Sequence, residues 1–266
     1  MEAQGTCAKG FEAVLHAFEA MFDDPQERGA GLCVQVGGQT VVDLWAGVAD
    51  LEGNKPWHHG TLANTFCTIK PLAAVAALML VEEGRLELDA PVARYWPEFA
   101  QGGKGRVTVR QVMTHTSGIP ALRGPNHNAM MYDWEHMVEI LAAEPLWWQP
   151  GTGLGYATTI FGWVIGELIR RVDGREPCTF IHERITRPHD LEVYLGVEEQ
   201  DFERIAHFDA AEGRVGDYYS EDLRKVIIAE PEHVATLAFT NPGMVPRLPI
   251  GPVSYTHLTL PTTPYV

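Results

Sequence analysis

Along the first third of the chain the apolar positions change period twice. Phe11, Val14, Leu15, Phe18, Met21 and Phe22 recur at three- and four-residue spacing, which predicts an amphipathic helix over Gly10 to Phe22, ended by Asp23-Asp24-Pro25. Gly31 to Val36 and Thr40 to Gly47 are then β-rich runs about Gly37-Gly38-Gln39. They predict a hairpin on the core sheet with the first helix packed on its face. After the polar loop Asp50 to Gly60, the run Leu72 to Val81 is apolar nearly all round, as a central buried helix should be, and Glu82-Glu83-Gly84 ends it.

Helical signals dominate from there. A mostly irregular stretch holds Pro91 and Pro97. Thr108 is placed to cap a short helix, Val109 to Met113, and Asp133 to cap Trp134 to Ala143. Ile160, Trp163, Val164 and Leu168 mark a periodic helix from Thr159 to Arg171, with Asp173-Gly174 past its end. Further helices are expected over Pro177 to Ile185, Glu221 to Ala229 and Glu232 to Phe239. Helix, hairpin and then mostly helices is an α+β order in which the sheet is undersized for its helices.

Composition narrows the partners. The 266 residues, 45% hydrophobic and 21% charged, suit one large globular domain or two small ones. Lys and Arg total 20 against 35 Asp and Glu, a net charge of -15, which argues against nucleic acid and anionic membrane surfaces. The four cysteines, Cys7, Cys33, Cys67 and Cys178, are widely spaced and form no C-x-x-C pair, so no zinc site or disulfide scaffold is indicated. The start carries no signal-like pattern, and no apolar run is long enough to span a bilayer. A cytoplasmic, reduced protein with no metal and no cofactor is the expectation.

One stretch carries chemistry. Phe66-Cys67-Thr68-Ile69-Lys70-Pro71 reads as a short loop delivering a reactive side chain to the start of a helix. Cys67 and Lys70, three apart, share a face there. Unpaired N–H groups and the helix dipole favour developing negative charge at that end, and the Lys70 ammonium adds to the effect. Pro71 fits, because first-turn residues have no intrahelical partner for an N–H. Gly151, Gly153 and Gly155 form a G-x-G-x-G run that no suitable strand precedes, which argues against a phosphate loop. His58-His59 lacks partners at ligand spacing, so no metal site is read there. Cys7, Cys33 and Cys178 read as buried small apolar residues.

From Gly10 to Pro246 the chain resembles the serine beta-lactamase-like superfamily, specifically class C beta-lactamases and family VIII carboxylesterases, which share a fold with the DD-peptidases. The segments that carry the resemblance are Val41 to Gly47, Leu80 to Val92, Val109 to Gly118 and Gly162 to Arg171. It implies an antiparallel sheet flanked by helices plus an all-helical domain. Residues 1–110 would form the N-terminal part of the α/β domain, with hairpin and nucleophile helix, and 111–251 the mostly helical domain. The C-terminal sheet strands would be missing. Residues 252–266, which end in Thr/Pro-rich sequence without a charge, resemble a translated sequencing adapter and are read as a non-native tail.

In that family the nucleophile motif is S-x-x-K. Lys70 matches its lysine, and Cys67 stands where the serine is expected. The resemblance places the second motif at Tyr156, a tyrosine that acts as a base, with Thr158 where lactamases carry asparagine; this leans toward esters over lactams. The third motif, a glycine-containing triad on a late strand that also supplies the second oxyanion donor, has no match before the sequence ends. Thr114-His115-Thr116-Ser117-Gly118 corresponds to a structural turn. The function implied is an acyl hydrolase, a carboxylesterase acting on small esters through a covalent acyl-enzyme with Cys67, Lys70 and Tyr156 as catalytic residues. An inactive homologue or fragment that binds acyl or peptidoglycan-like ligands is one alternative, and a beta-lactamase is another. Cys67 itself stays open between an active thiol, an inactivating substitution and a sequence error for serine.

Overall fold

A computed structural model describes residues 1–50, 52–123, 133–157, 160–197, 199–207 and 258–259. The helices expected over Glu221 to Ala229 and Glu232 to Phe239 lie outside the described residues, as does nearly all of the 252–266 tail.

The sheet forms around the expected hairpin. Strands β2 (Gly29–Val36) and β3 (Gln39–Gly47) pair antiparallel, and the turn between them uses Gly37 and Gly38 at φ of 59° and 78°. Two consecutive positive φ values match the right-handed twist of a tight hairpin, and glycine adopts them without a Cβ penalty. Along β3 the alternation puts Val42, Leu44 and Ala46 on one buried face. Helix α1 (Glu12–Met21) lies against that face through Phe18, which closes a small core. A third strand was not anticipated. β1 (Gln4–Cys7) adds to the free edge of β3, giving the order β1-β3-β2, and Gln4 accepts a hydrogen bond from the Trp45 indole at 3.1 Å. Four residues, mostly polar and exposed, leave no period-two apolar signal to read.

The larger core belongs to the helices. A 3₁₀ turn (Phe66–Ile69) runs directly into α2 (Lys70–Glu82), which Gly84 stops at φ of 70°. Next come the 3₁₀ turn Val92–Arg94 and the segment Pro97–Arg106, two short 3₁₀ turns separated by a kink at Gln101, Gly102 and Gly103, then α3 (Val109–Met113), α4 (Trp134–Ala143), α5 (Ile160–Asp173) and α6 (Pro177–Ile181). Both expected caps form. Thr108 and Gln111 exchange hydrogen bonds as a capping box, and Asp133 accepts from the His136 N–H at 3.0 Å.

Which helix is central differs from the expectation. α2 buries Ala76, Ala77 and Leu80 but leaves Val75 and Leu78 more than 40% exposed, because α5 and α6 meet it on one side only. The helix buried all round is α5, which packs against α2, α3, α4 and α6 and seals every residue from Ile160 to Ile169 except Gly162. Its one acid in that stretch, Glu167, is fully buried and accepts from Trp134, Arg170 and Arg171. Buried Lys104 ties the 97–106 segment to the end of α4, donating to the carbonyls of Gln101, Ala142 and Glu144. A cation among the last carbonyls of a helix satisfies groups that the helix itself leaves free.

Residues 199–207 return to the segment that leads into the Phe66–Ile69 turn. The Leu62 N–H donates to the Arg204 carbonyl, the Ala206 N–H donates to the Leu62 carbonyl, and the His207 N–H donates to the Ala49 carbonyl, all at 2.7–2.8 Å. Leu62, Val197 and Ile205 pack there as a separate small core. A last pairing joins β4 (Glu192–Val193) to β5 (Leu258–Thr259).

Candidate active site

The Phe66–Ile69 turn is anchored before it begins. Leu62, held by 204–206, and the Arg204 guanidinium, which donates to the Gly60 carbonyl at 3.2 Å, fix the approach to the 3₁₀ turn. Cys67 sits on that turn rather than on the α-helix, and its carbonyl accepts the main-chain N–H of Lys70. In a 3₁₀ turn residues i and i+3 eclipse each other, so the side chains of Cys67 and Lys70 stand closer than α-helical spacing would set them. The Lys70 Nζ lies 3.0 Å from the Cys67 Sγ. Lys70 is 6% exposed, while Cys67 is half-buried.

Tyr156 arrives from the far side of the sequence on the loop between α4 and α5. The Lys70 ammonium stands 4.9 Å from the centre of its ring, and the residue is 45% exposed. The loop is glycine-rich for a packing reason. A Cβ on Gly155 would come within 2.4 Å of the Trp148 ring, so only glycine lets that ring lie beneath the chain next to Tyr156. Cys67, Lys70 and Tyr156 thus converge, with Lys70 in contact with both others. Thr158 lies outside the described residues.

His115 was expected only as part of a turn, and it stands behind Tyr156. Its ring lies 4.6 Å from the Tyr156 ring and 5.1 Å from that of Phe161. Burial, and secondarily the Lys70 charge, push its pKa below the ordinary imidazole value, which keeps the ring neutral at pH 7. The link between His115 and the tyrosine loop spans about forty residues, and no local pattern reports it.

Other candidates fall elsewhere. His59 pairs with Asp43 at 3.3 Å and lines a cleft of about 470 Å³ between the hairpin and the 57–65 segment, with Trp45, Trp57 and Cys33. Among the described residues no three His, Cys, Asp or Glu side chains are grouped to hold a metal ion. No helix of the described residues is long and apolar enough to cross a membrane. Cys7, Cys33 and Cys178 are half-buried rather than buried, being placed on edge strand β1, on cleft-facing β2 and in the short helix α6. Burial and the neighbouring Asp43 carboxylate raise the pKa of the Cys33 thiol, which keeps it protonated and unreactive.

Comparisons with known proteins bear on the fold that holds these residues. The sequence pattern of the family described as Beta-lactamase matches residues 15–237. The esterase/beta-lactamase LipL of Mycobacterium tuberculosis is 36% identical over 196 residues, covering 72% of this chain and 44% of that protein. The esterase EstB of Burkholderia gladioli is 31% identical over 191 residues, covering 64% and 48%. The chain therefore spans a little under half the length of these relatives. Among solved structures, a penicillin-binding protein homolog from Caulobacter crescentus superposes with a TM-score of 0.86 at 32% identity, over 97% of this chain and 68% of that one. A family VIII carboxylesterase superposes with a TM-score of 0.84 at 33% identity, over 97% and 69%.

Proposed function

Since this chain belongs to the beta-lactamase family and shares its fold, we propose that it is an acyl hydrolase, a carboxylesterase that cleaves small esters through a thioester on Cys67. The observation that carries the reading is the 3.0 Å contact between the Lys70 ammonium and the Cys67 sulfur. As sulfur attacks the ester carbonyl, the thiol proton enters the Lys70–Tyr156 pair, and the new C–S bond replaces the C–O bond to the alcohol. The departing alkoxide recovers a proton from the Lys70–Tyr156 pair and leaves as alcohol. Water then attacks the thioester, passing its proton to the same pair, and releases the acid with the thiol restored. The main-chain N–H of Cys67, at the start of its turn, has no intrahelical acceptor and is the oxyanion donor of this scheme. The relative named an esterase alone, and the carboxylesterase among the superposed structures, support esters over lactams.

The test is a pre-steady-state assay with p-nitrophenyl acetate and butyrate, followed by intact-protein mass measurement. The expected result is a burst of p-nitrophenol stoichiometric with protein, an acyl mass adduct mapped to residue 67, and loss of both in Cys67→Ala. Cys67→Ser, which restores a hydroxyl at the same place, should still form the adduct. A cooperatively folded protein that shows neither burst nor adduct would refute the reading. Saturable binding of the same esters without turnover would favour the non-catalytic alternative.

A further inference from the structure

His115 has one of only two non-glycine residues' positive φ values among the described residues, 58°. An L-residue holds that conformation at a cost, and such strain persists only where surrounding contacts maintain it. The turn 115–118 is stitched to the loop that carries Tyr156: the Trp147 N–H donates to the Gly118 carbonyl at 2.8 Å, and the Gly151 N–H to the Thr116 carbonyl at 2.8 Å. The last two stitches both belong to His115. Its carbonyl accepts from the Gly155 N–H at 3.0 Å, and its Nδ1 accepts from the Ala157 N–H at 3.2 Å. One residue thus grips the backbone on either side of Tyr156, and its ring supports the tyrosine ring at 4.6 Å.

We propose that His115 is the positioning residue of this site, setting where the Tyr156 phenol stands relative to Lys70 by holding both main-chain neighbours of the tyrosine. The claim rests on the hydrolase reading for its catalytic consequence, whereas the grip itself is a property of the folded chain. The positive φ is part of the device, because it turns the carbonyl and the imidazole toward the same loop. Nδ1 accepts only while it carries no proton, so the hydrogen sits on Nε2 in the working state.

A pH dependence follows from that. Among the described residues the ring is faced by Lys70 from α2, by Tyr156 from its own loop and by Phe161 from α5; Lys70 is the charge that acts on it. Burial and Lys70 both disfavour the imidazolium. As the pH falls through this lowered value the ring gains a second N–H, Nδ1 turns from acceptor to donor, and the Ala157 stitch is lost. A second positive charge also arrives beside Lys70. The acid limb of activity is therefore a loosening of the Tyr156 loop and lies below the ordinary imidazole range.

The experiment uses three proteins and two readouts. His115→Gly keeps the positive φ without strain and removes only the imidazole, and His115→Asn tolerates positive φ and offers an oxygen near the place of Nδ1. Amide exchange at Gly155 and Ala157 is measured by mass spectrometry or NMR from pH 5 to 8 without substrate. The p-nitrophenyl acetate burst is measured on the same samples. His115→Gly should exchange faster at Ala157 and acylate about tenfold slower, the scale of one lost hydrogen bond. His115→Asn should restore both to within about threefold at pH 8 and abolish the acid-induced loosening of Ala157 seen with histidine. Exchange at Ala157 equal to wild type in His115→Gly, or an unchanged acid response in His115→Asn, overturns the proposal whatever the activity does. If no protein gives a burst while Ala157 exchange still follows His115, the hold stands and the hydrolase reading fails.

Discussion

Replacing Glu167 with alanine should be among the most damaging single changes in this chain. Its carboxylate is completely shielded from solvent on α5 and accepts from the Trp134 indole at 2.9 Å, the Arg170 Nε at 2.8 Å and the Arg171 Nε at 2.5 Å. Burial alone would raise its pKa. The hydrogen bonds from Arg170, Trp134 and Arg171 overcome that and hold it below the ordinary carboxylate value, so the group is charged at neutral pH. Alanine leaves the indole N–H without its acceptor, strips both guanidiniums of a partner and opens a cavity. Breaking a buried pair by removing one side costs about 3–5 kcal/mol. Some relief comes from Arg170, which keeps Glu135, and from Arg171, which keeps Glu98 at 3.0 Å. A loss of about 3–4 kcal/mol is therefore expected, equivalent to a fall in Tm of roughly 6–16 °C for a domain of this size. Glu167→Gln keeps an acceptor for Trp134 but not the charge, and should lose about half as much. The assay is urea unfolding with linear extrapolation, with Asp89→Asn as the control for an exposed ion pair, that with Arg110. A Glu167→Ala protein whose midpoint matches that of Asp89→Asn would refute the reasoning.

Three other consequences are open to measurement. Asp173 is held down to about 2 by hydrogen bonds from Arg175 and Arg85. A depressed carboxylate stabilises the fold above its unfolded value of 3.8 and loses that contribution as the pH falls through about 2. The partners are themselves partly exposed, so about 1–2 kcal/mol is at stake, and Asp173→Asn should flatten the stability profile between pH 4 and about 2 by that amount. Lys70→Met preserves the bulk of the buried stem but removes the ammonium that relays protons beside Cys67. The p-nitrophenyl acetate burst should slow by about 10²–10⁴ with little change in the unfolding midpoint, and a burst within threefold of wild type would disprove the role of Lys70. Gly155→Ala drives a methyl group into Trp148, so the Tyr156 loop must shift. About 1–3 kcal/mol of stability should be lost, together with more of the burst rate than distant substitutions of equal stability cost remove.

The parts of this molecule that were legible in the sequence are those written in one local segment. The hairpin declares itself by two β-rich runs about adjacent glycines, and the caps at Thr108 and Asp133 need only three residues each. The Cys67–Lys70 pair is local too, although the 3₁₀ turn that tightens it is not visible in composition. The ranking of helices failed because burial is a property of neighbours. α2 is apolar all round yet covered on one side, whereas α5 carries Glu167, Arg170 and Arg171 and looks half-exposed. A charge counts as polar in a periodicity argument even when its partners have already neutralised it. Strand β1 was lost for the opposite reason, since an exposed edge of four residues needs no apolar face. Tyr156 came from family resemblance alone, and its support by His115 came from neither source.

The three groups of the proposed reaction come from two separately held pieces of chain. Cys67 and Lys70 belong to one continuous turn, so their 3.0 Å contact is set by backbone geometry and survives any movement of the turn as a whole. Tyr156 has no such guarantee. Its loop meets Lys70 only because the 115–118 turn fixes it, and its distance from the ammonium is a sum of tertiary contacts. The nucleophile turn is held in a different way, through Leu62 and Gly60 on the 204–206 segment. Each anchorage has its own hydrogen bonds among the described residues, so disturbing one should leave the other intact. The proposed proton transfer needs the phenol, the ammonium and the sulfur within hydrogen-bond reach together, so the proposed activity is more fragile than the fold. Loss of a stitch at His115 can silence the site in a protein that still unfolds as cooperatively as before.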